Sequence, residues 1–510
     1  MPRLSRALPL LLSLALLVSC GGTRGGPALV HQDEVPAAAP LAPAQILSLP
    51  QPGPPPAPEE DEAILTLDYD LGEDAYGDMP YRIRGRLSLP QAGSGLPLVL
   101  LLHGSHDSAD PDGGYYQGLS YLADALARRG FAAVSLDIQP AYVWKYGKGD
   151  DGEKAAAITR SQLGYLDRAN RGDPLFPADL TGRLDLERLI LVGHSRGGDT
   201  ALDLANALPG AVGAVAVAPG LRTAEKDWRD IPLAILIPEL DGDVTDLDGY
   251  ACLGPLYAAD RRSPAVATLL RGANHNYFND RLIVNDAGDA PGLLRPEAQR
   301  DFLCRYLAGF CAYALGDREA GSLFDFSRPV PDRLYGQRAE HLFVSPALTL
   351  LSDPAQGAPA LDCTARRLTV DTHTTDLPIP LAWGTDQTLT LWRFQGQASP
   401  AVAQIPLTAA DLSGFDGLAL DLAPGPGVPA GQSLLLALED QSGASAAVRL
   451  PPMEAGAQGG AYTTFAQVRV PLSLFSGLDL AHISRLALLP DQSAPWEVLV
   501  SAVYGYQVEG

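Results

Sequence analysis

From residue 81 onward, short apolar segments alternate with longer stretches of helical spacing. Residues 81–89 place apolar side chains at every second position, which predicts a strand. Residues 97–102 are continuously apolar and end in His103-Gly104, as a strand buried on both faces would. Apolar positions three and four apart predict helices over 116–129, 153–169, 197–208 and 296–316. Between them, short apolar runs predict strands at 132–137, 189–193, 212–217, 233–237 and 265–271. Strands alternating with helices imply an α/β fold, a mostly parallel sheet with helices on both faces. After residue 355 the helical period fades. Runs at 368–370, 389–392, 417–421, 433–438 and 467–470, separated by Gly, Pro and Asp, predict an all-β sandwich. The expected organisation is an α/β domain over 62–350 and a β-sandwich over 355–510.

The first twenty residues follow neither pattern. Arg3 and Arg6 precede an apolar run over 8–18, too short to cross a bilayer as a stable helix but suited to an export signal. It ends in Leu17-Val18-Ser19-Cys20-Gly21-Gly22, which resembles the bacterial lipobox. The resemblance implies lipidation of Cys20 and an extracytoplasmic protein anchored to the cell envelope. Residues 21–61 are rich in Ala, Pro and Gly, including Pro54-Pro55-Pro56, and read as an extended spacer. The 510-residue chain carries 37 Lys and Arg against 60 Asp and Glu, a net charge of −23. That balance excludes a nucleic-acid partner and electrostatic docking on an anionic membrane. Four cysteines beyond Cys20 (Cys252, Cys304, Cys311 and Cys363) suggest two disulfides in an exported chain. Cys304 and Cys311 are seven apart on the predicted helix, about 10 Å, too far to pair with each other. Each is therefore expected to reach Cys252 or Cys363, in either assignment. No CxxC or close Cys/His spacing supports a zinc site, and no metal or cofactor is expected.

Three loops carry the candidate chemistry. Gly193-His194-Ser195-Arg196-Gly197-Gly198 lies between a predicted strand and a predicted helix, the setting of a nucleophile elbow. There the flanking glycines permit a sharp turn that presents the serine hydroxyl. Serine needs an adjacent base. In such folds the chain order is serine, acid, histidine, and four of the eight histidines follow Ser195: His275, His341, His373 and His482. His275 stands directly after the predicted strand at 265–271, within the α/β domain. The acid is expected after the strand at 233–237, where Asp241 and Asp243 compete, with Asp246 and Asp248 behind them. Asp241 with Val244 fits the second half of a Gly-x-x-Asp-x-x-Val pattern, Pro238 standing where the glycine would be. The third loop, His103-Gly104-Ser105-His106, matches the one that supplies an oxyanion-hole N–H. The backbone amides of Ser105 and Arg196 are the predicted donors, His106 a second choice for the first. His103 reads as a brace for that loop.

Together, His103-Gly104, residues 119–133, Gly193 to Gly198, Asp241 and Asn274-His275 resemble the α/β-hydrolase family. They resemble in particular its dienelactone-hydrolase-like, chlorophyllase-like and platelet-activating-factor-acetylhydrolase-like members. The resemblance implies carboxylic ester hydrolysis through an acyl-enzyme: Ser195 attacks, His275 moves the proton and Asp241 orients the imidazole. The implied substrate is a small-molecule or lipid ester. A peptidase on the same fold and an inactive envelope-binding lipoprotein are the rival readings. Residues 468–486 resemble the last strands of jelly-roll carbohydrate-binding modules, which implies a cell-envelope glycan as a partner of the C-terminal domain. A purely structural sandwich is the competing expectation.

Overall fold

The computed structural model describes residues 46–48 and 63–508, apart from 148–149, 221–227, 319–322, 324–325, 327, 353, 355–359, 362–363, 372–387, 397–401, 427–429 and 492–493. The expected export signal, Cys20, the proline triplet, Cys363 and His373 lie outside the described residues. No described helix is long and apolar enough to cross a membrane.

The first half of the chain builds β1 (Ile64–Tyr76), β2 (Met79–Pro90), β3 (Leu96–Leu102), α1 (Ser120–Ala127), β4 (Ala132–Leu136), α2 (Asp151–Asn170), β5 (Leu184–His194), α3 (Arg196–Ala207), β6 (Ala211–Val217), β7 (Leu233–Pro238), α4 (Leu253–Ala258), β8 (Ala265–Leu270), α5 (Pro296–Ala314) and β9 (Gln337–Val344). The strands lie in one sheet in the order β1-β2-β4-β3-β5-β6-β7-β8-β9, extended beyond β9 by a short hairpin strand at Arg333–Leu334. The sheet is mixed. Strands β4, β3, β5, β6, β7 and β8 run parallel, whereas β2 and β9 flank them antiparallel. Only Gly77 and Asp78 separate β1 from β2, and Gly77 has φ +58°. A two-residue link reverses the chain and cannot make a parallel crossover.

Apolar side chains of the central strands are shared between the two faces, which explains why these strands read as unbroken hydrophobic runs. Leu98, Leu100, Leu102, Leu189 and Leu191 pack on one side with residues of α2, α3 and α4, such as Ile158, Leu204 and Leu256. Val99, Leu101, Ile190 and Val192 pack on the other with Leu122 and Leu126 of α1 and Phe302 and Leu307 of α5. This division corrects the disulfide expectation. Cys252 is buried in the first layer and donates its thiol to Gly249 O at 3.0 Å. Cys311 is buried in the second layer, with Cys304 packed at its edge. The sheet stands between Cys252 and the other two, and among the described residues no disulfide joins them. Burial pushes the thiols of Cys252 and Cys311 far up, so both act as core hydrophobes.

The remaining described residues form two further sheets. One orders Thr364–Asp371, Thr388–Gly396, Trp496–Tyr506, Gly417–Pro424 and Ala466–Pro471, with Leu348–Ser352 also paired to Trp496–Tyr506. The other orders Ser445–Arg449, Leu434–Asp440, Ile483–Pro490, Ala403–Ile405 and Ala360–Leu361. Between them sits a core of Leu418, Leu420, Leu436, Leu438, Leu486 and Leu488 with fully buried Trp392 and Trp496. Within the expected spacer, Ile46–Ser48 adds a parallel strand to the second sheet, Ile46 opposite Ala447 and Ser48 opposite Arg449.

Sandwich and mixed sheet belong to one unit, Pro40–Gly510; Leu391, Phe465 and Leu499 of the sandwich pack into the first apolar layer and Ala419 and Tyr506 into the second, and polar contacts add to this. Arg271 pairs with Glu239 at 2.8 Å and with Glu340, and donates to Ala455 O at 2.6 Å. Thr464 Oγ1 donates to the second oxygen of Glu340 at 2.8 Å. The guanidinium of buried Arg469 lies 3.6 Å from the ring centre of Phe326 and 4.2 Å from that of Phe343.

Candidate active site

Ser195 follows the last residue of β5 and caps α3 with φ 55° and ψ −131°, a conformation costly for an L side chain. Backbone contact on all sides enforces it. A Cβ on Gly193 would lie 1.8 Å from Gly197 O, and one on Gly197 would lie 2.5 Å from the carbonyl oxygens of Leu102 and His103. Helix α3 is thereby seated against the end of β3. Ser195 N–H donates to Val217 O at 2.8 Å, and Gly198 N–H donates back to Ser195 O at 2.8 Å. Arg196 is the first residue of α3, where the helix's own bonding leaves the amide unused. A Cβ on Gly104 would sit 2.5 Å from Ser195 Cβ, so the β3 loop touches the serine and Ser105 follows one residue on.

His275 stands in the loop after β8. Its Nδ1–H donates to Asp241 Oδ2 at 2.9 Å, both side chains being almost fully buried. The other oxygen of Asp241 accepts the N–H of Asp243 at 2.9 Å and of Val244 at 2.6 Å, which fixes the carboxylate in the turn after β7. Asp243 itself is 66% exposed, with Oδ2 3.5 Å from His275 Nε2. Burial disfavours charge on His275, but the hydrogen bond to Asp241 and the carboxylates of Asp241, Asp243 and Asp286 outweigh it and hold its pKa above the ordinary histidine value.

His194 ties this loop to the serine turn. Its ring lies 4.9 Å from that of His275, and its Nε2 is 3.0 Å from His275 O. A carbonyl oxygen only accepts, so Nε2 carries the proton. Burial, and then repulsion from His275, hold the His194 pKa well below its usual range. His275 Nε2 is buried without a hydrogen-bond partner, and no hydrogen bond joins it to Ser195. Such catalytic contacts are often loose before substrate arrives.

The other sequence candidates fall elsewhere. His103 Nδ1–H donates to Gly104 O at 2.8 Å, and its Nε2 accepts from Ile138 N–H at 3.2 Å, so it braces the loop by both nitrogens. His341 is buried in β9 beside Thr268 at 3.0 Å, and burial pulls its pKa down to about 3. His482 lies on the sandwich, paired with Asp479 at 2.8 Å. Among the described residues no cluster of His, Cys, Asp and Glu could hold a metal ion.

Asp286 is a site residue that pattern reading does not find. Its Oδ2 accepts the N–H of His275 at 3.0 Å and of Gly242 at 2.8 Å, and its Oδ1 accepts that of Asn276 at 3.0 Å. One carboxylate thus clamps the acid turn to the histidine loop. Gln299 of α5 secures the same loop from beneath, exchanging hydrogen bonds with the backbone of Asn274 at 3.1 and 2.7 Å. A cleft of about 680 Å³ opens behind this clamp, bordered by Asp241, Gly242, Asp286, Arg271, Arg333 and Glu454. It backs onto the acid turn, and Ser195 is not among the residues that line it. The chain matches no family model and no curated protein.

Proposed function

We propose that the protein is a serine hydrolase of the α/β-hydrolase type that cleaves carboxylic esters. The observation that carries this reading is the buried Asp241–His275 pair, whose loop packs against His194, with the next residue, Ser195, held in a strained strand-to-helix turn. The strand order β1-β2-β4-β3-β5-β6-β7-β8 also supports it, with the serine after β5, the acid after β7 and the histidine after β8.

Ser195 Oγ attacks the ester carbonyl while its proton passes to His275 Nε2. A C–O bond forms and the carbonyl π electrons move onto oxygen. The imidazolium is stabilised by Asp241, which also fixes the tautomer that leaves Nε2 free to accept. Backbone N–H groups of Ser105 and Arg196 receive the oxyanion. Collapse expels the alcohol, which takes the proton from His275 and leaves Ser195 acylated. Water then repeats the sequence and releases the acid. In this proposal Cys20 carries a lipid that anchors the enzyme to the outside of the cell, and the sandwich faces envelope glycan.

Hydrolysis of p-nitrophenyl esters of increasing acyl length tests the reading. The purified protein is expected to turn them over and Ser195→Ala to lose activity to background. Equal rates for the two would overturn it.

A further inference from the structure

Near Ser195, the side chain of His106 is left unused by this chemistry. His106 stands two residues beyond Gly104 in the β3 loop. The point where a Cβ on Gly104 would lie is 2.5 Å from Ser195 Cβ and 3.1 Å from His106 Cε1. The ring edge and the nucleophile therefore border the same spot. The imidazole is firmly held, stacked on His194 with ring centres 5.5 Å apart at 27° and packed edge-on to Tyr115 at 5.0 Å. Yet its Nε2 is buried without a hydrogen-bond partner, a state that buried polar atoms rarely keep. Burial, and then repulsion from His103 and His275, hold its pKa well below the ordinary value. The ring is thus neutral, able to donate one hydrogen bond without bringing a charge into the site.

We propose that His106 is a substrate-contacting residue whose Nε2–H donates a third hydrogen bond to the ester carbonyl oxygen, beside the backbone N–H groups of Ser105 and Arg196. The proposal rests on the esterase reading above. The carbonyl oxygen gains negative charge as Ser195 attacks, so this bond strengthens toward the transition state and acts on kcat more than on KM.

The test uses the full chain with four side chains at position 106. His106→Phe keeps a ring but no donor, His106→Gln places an amide N–H near the Nε2 position, and His106→Glu matches Gln in length but accepts only. Relative to wild type, Phe is expected to lower kcat about 10²–10³-fold, the loss typical of one oxyanion donor, with KM within a few-fold. Gln is expected to recover at least about tenfold of that loss and Glu none of it. Affinity for phenylboronic acid, which forms a tetrahedral adduct on Ser195 without turnover, should follow the same order. A His106→Phe enzyme within about threefold of wild type, or Gln and Glu equally impaired, would overturn the proposal. The Gln–Glu comparison stands even if the Phe protein does not fold. Hydrolysis that needs Ser195 but not His106 would remove this proposal alone, whereas hydrolysis indifferent to Ser195 would remove the esterase reading and this with it.

Discussion

The Asp243 carboxylate lies 3.5 Å from His275 Nε2, the nitrogen proposed to accept the serine proton, and it is largely open to solvent. It favours the protonated ring, as do Asp241 and Asp286. The proposed mechanism requires that nitrogen unprotonated, so the rate should fall as pH drops through the His275 pKa. Since that pKa is raised, the acid limb of kcat/KM should lie above about 6.5, the ordinary histidine value. Asp243→Asn should move the limb down by a few tenths of a pH unit at low salt, with a smaller shift at 1 M salt because exposed charges are screened. A limb that stays in place, or moves up, would contradict this account. At this scale the sequence was partly legible. Asp241, His275 and Ser195 could be picked out because each ends an apolar run. Asp286 could not, because it works by accepting backbone N–H groups from two loops and belongs to no periodic pattern. The cysteines misled because parity and an export signal were their only clues, and neither says on which face of a sheet a residue will fall.

The turn from β5 into α3 stores strain at one residue. The φ and ψ of Ser195 suit glycine, and L residues in such regions cost about 1–3 kcal/mol. Ser195→Gly should therefore raise stability by about 1 kcal/mol while abolishing activity. Ser195→Ala, which must adopt the same backbone, should not. Denaturant midpoints of the three proteins decide it, and equal midpoints for Gly and Ala would mean that the turn is unstrained. The elements themselves were largely readable, because β3, β5, β7 and β8 are buried on both faces and so announce themselves as apolar runs. Strand β1 was not: it lies at the sheet edge and much of its length is exposed, so its residues carry little hydrophobic signal. The six central strands are parallel as expected, and the antiparallel strands β2 and β9 on either side of them make the sheet mixed.

Across the whole molecule, Arg271 is held within the mixed sheet by Glu239 and Glu340 and reaches the sandwich through Ala455 O, while Glu340 accepts from Thr464 of the sandwich. Removing one partner of a buried charge group leaves the others uncompensated. Arg271→Met should cost about 3–5 kcal/mol, and adding Glu340→Gln should restore part of it, as denaturant unfolding would show. A single-variant loss below about 1 kcal/mol would mean that the interface is held by packing alone. This coupling was invisible in the sequence, because its members stand far apart along the chain. So was the pairing of Ile46–Ser48 with the strand at Ser445–Arg449, made by three residues in a stretch of Ala and Pro. That pairing has a mechanical consequence. Load applied to the N-terminal end of the chain meets the edge of the sandwich first, where three residue pairs resist it in shear. It reaches β1 and the sheet that carries Ser195 only after they part, so the small strand works as a strain relief that shields the site's geometry from tension.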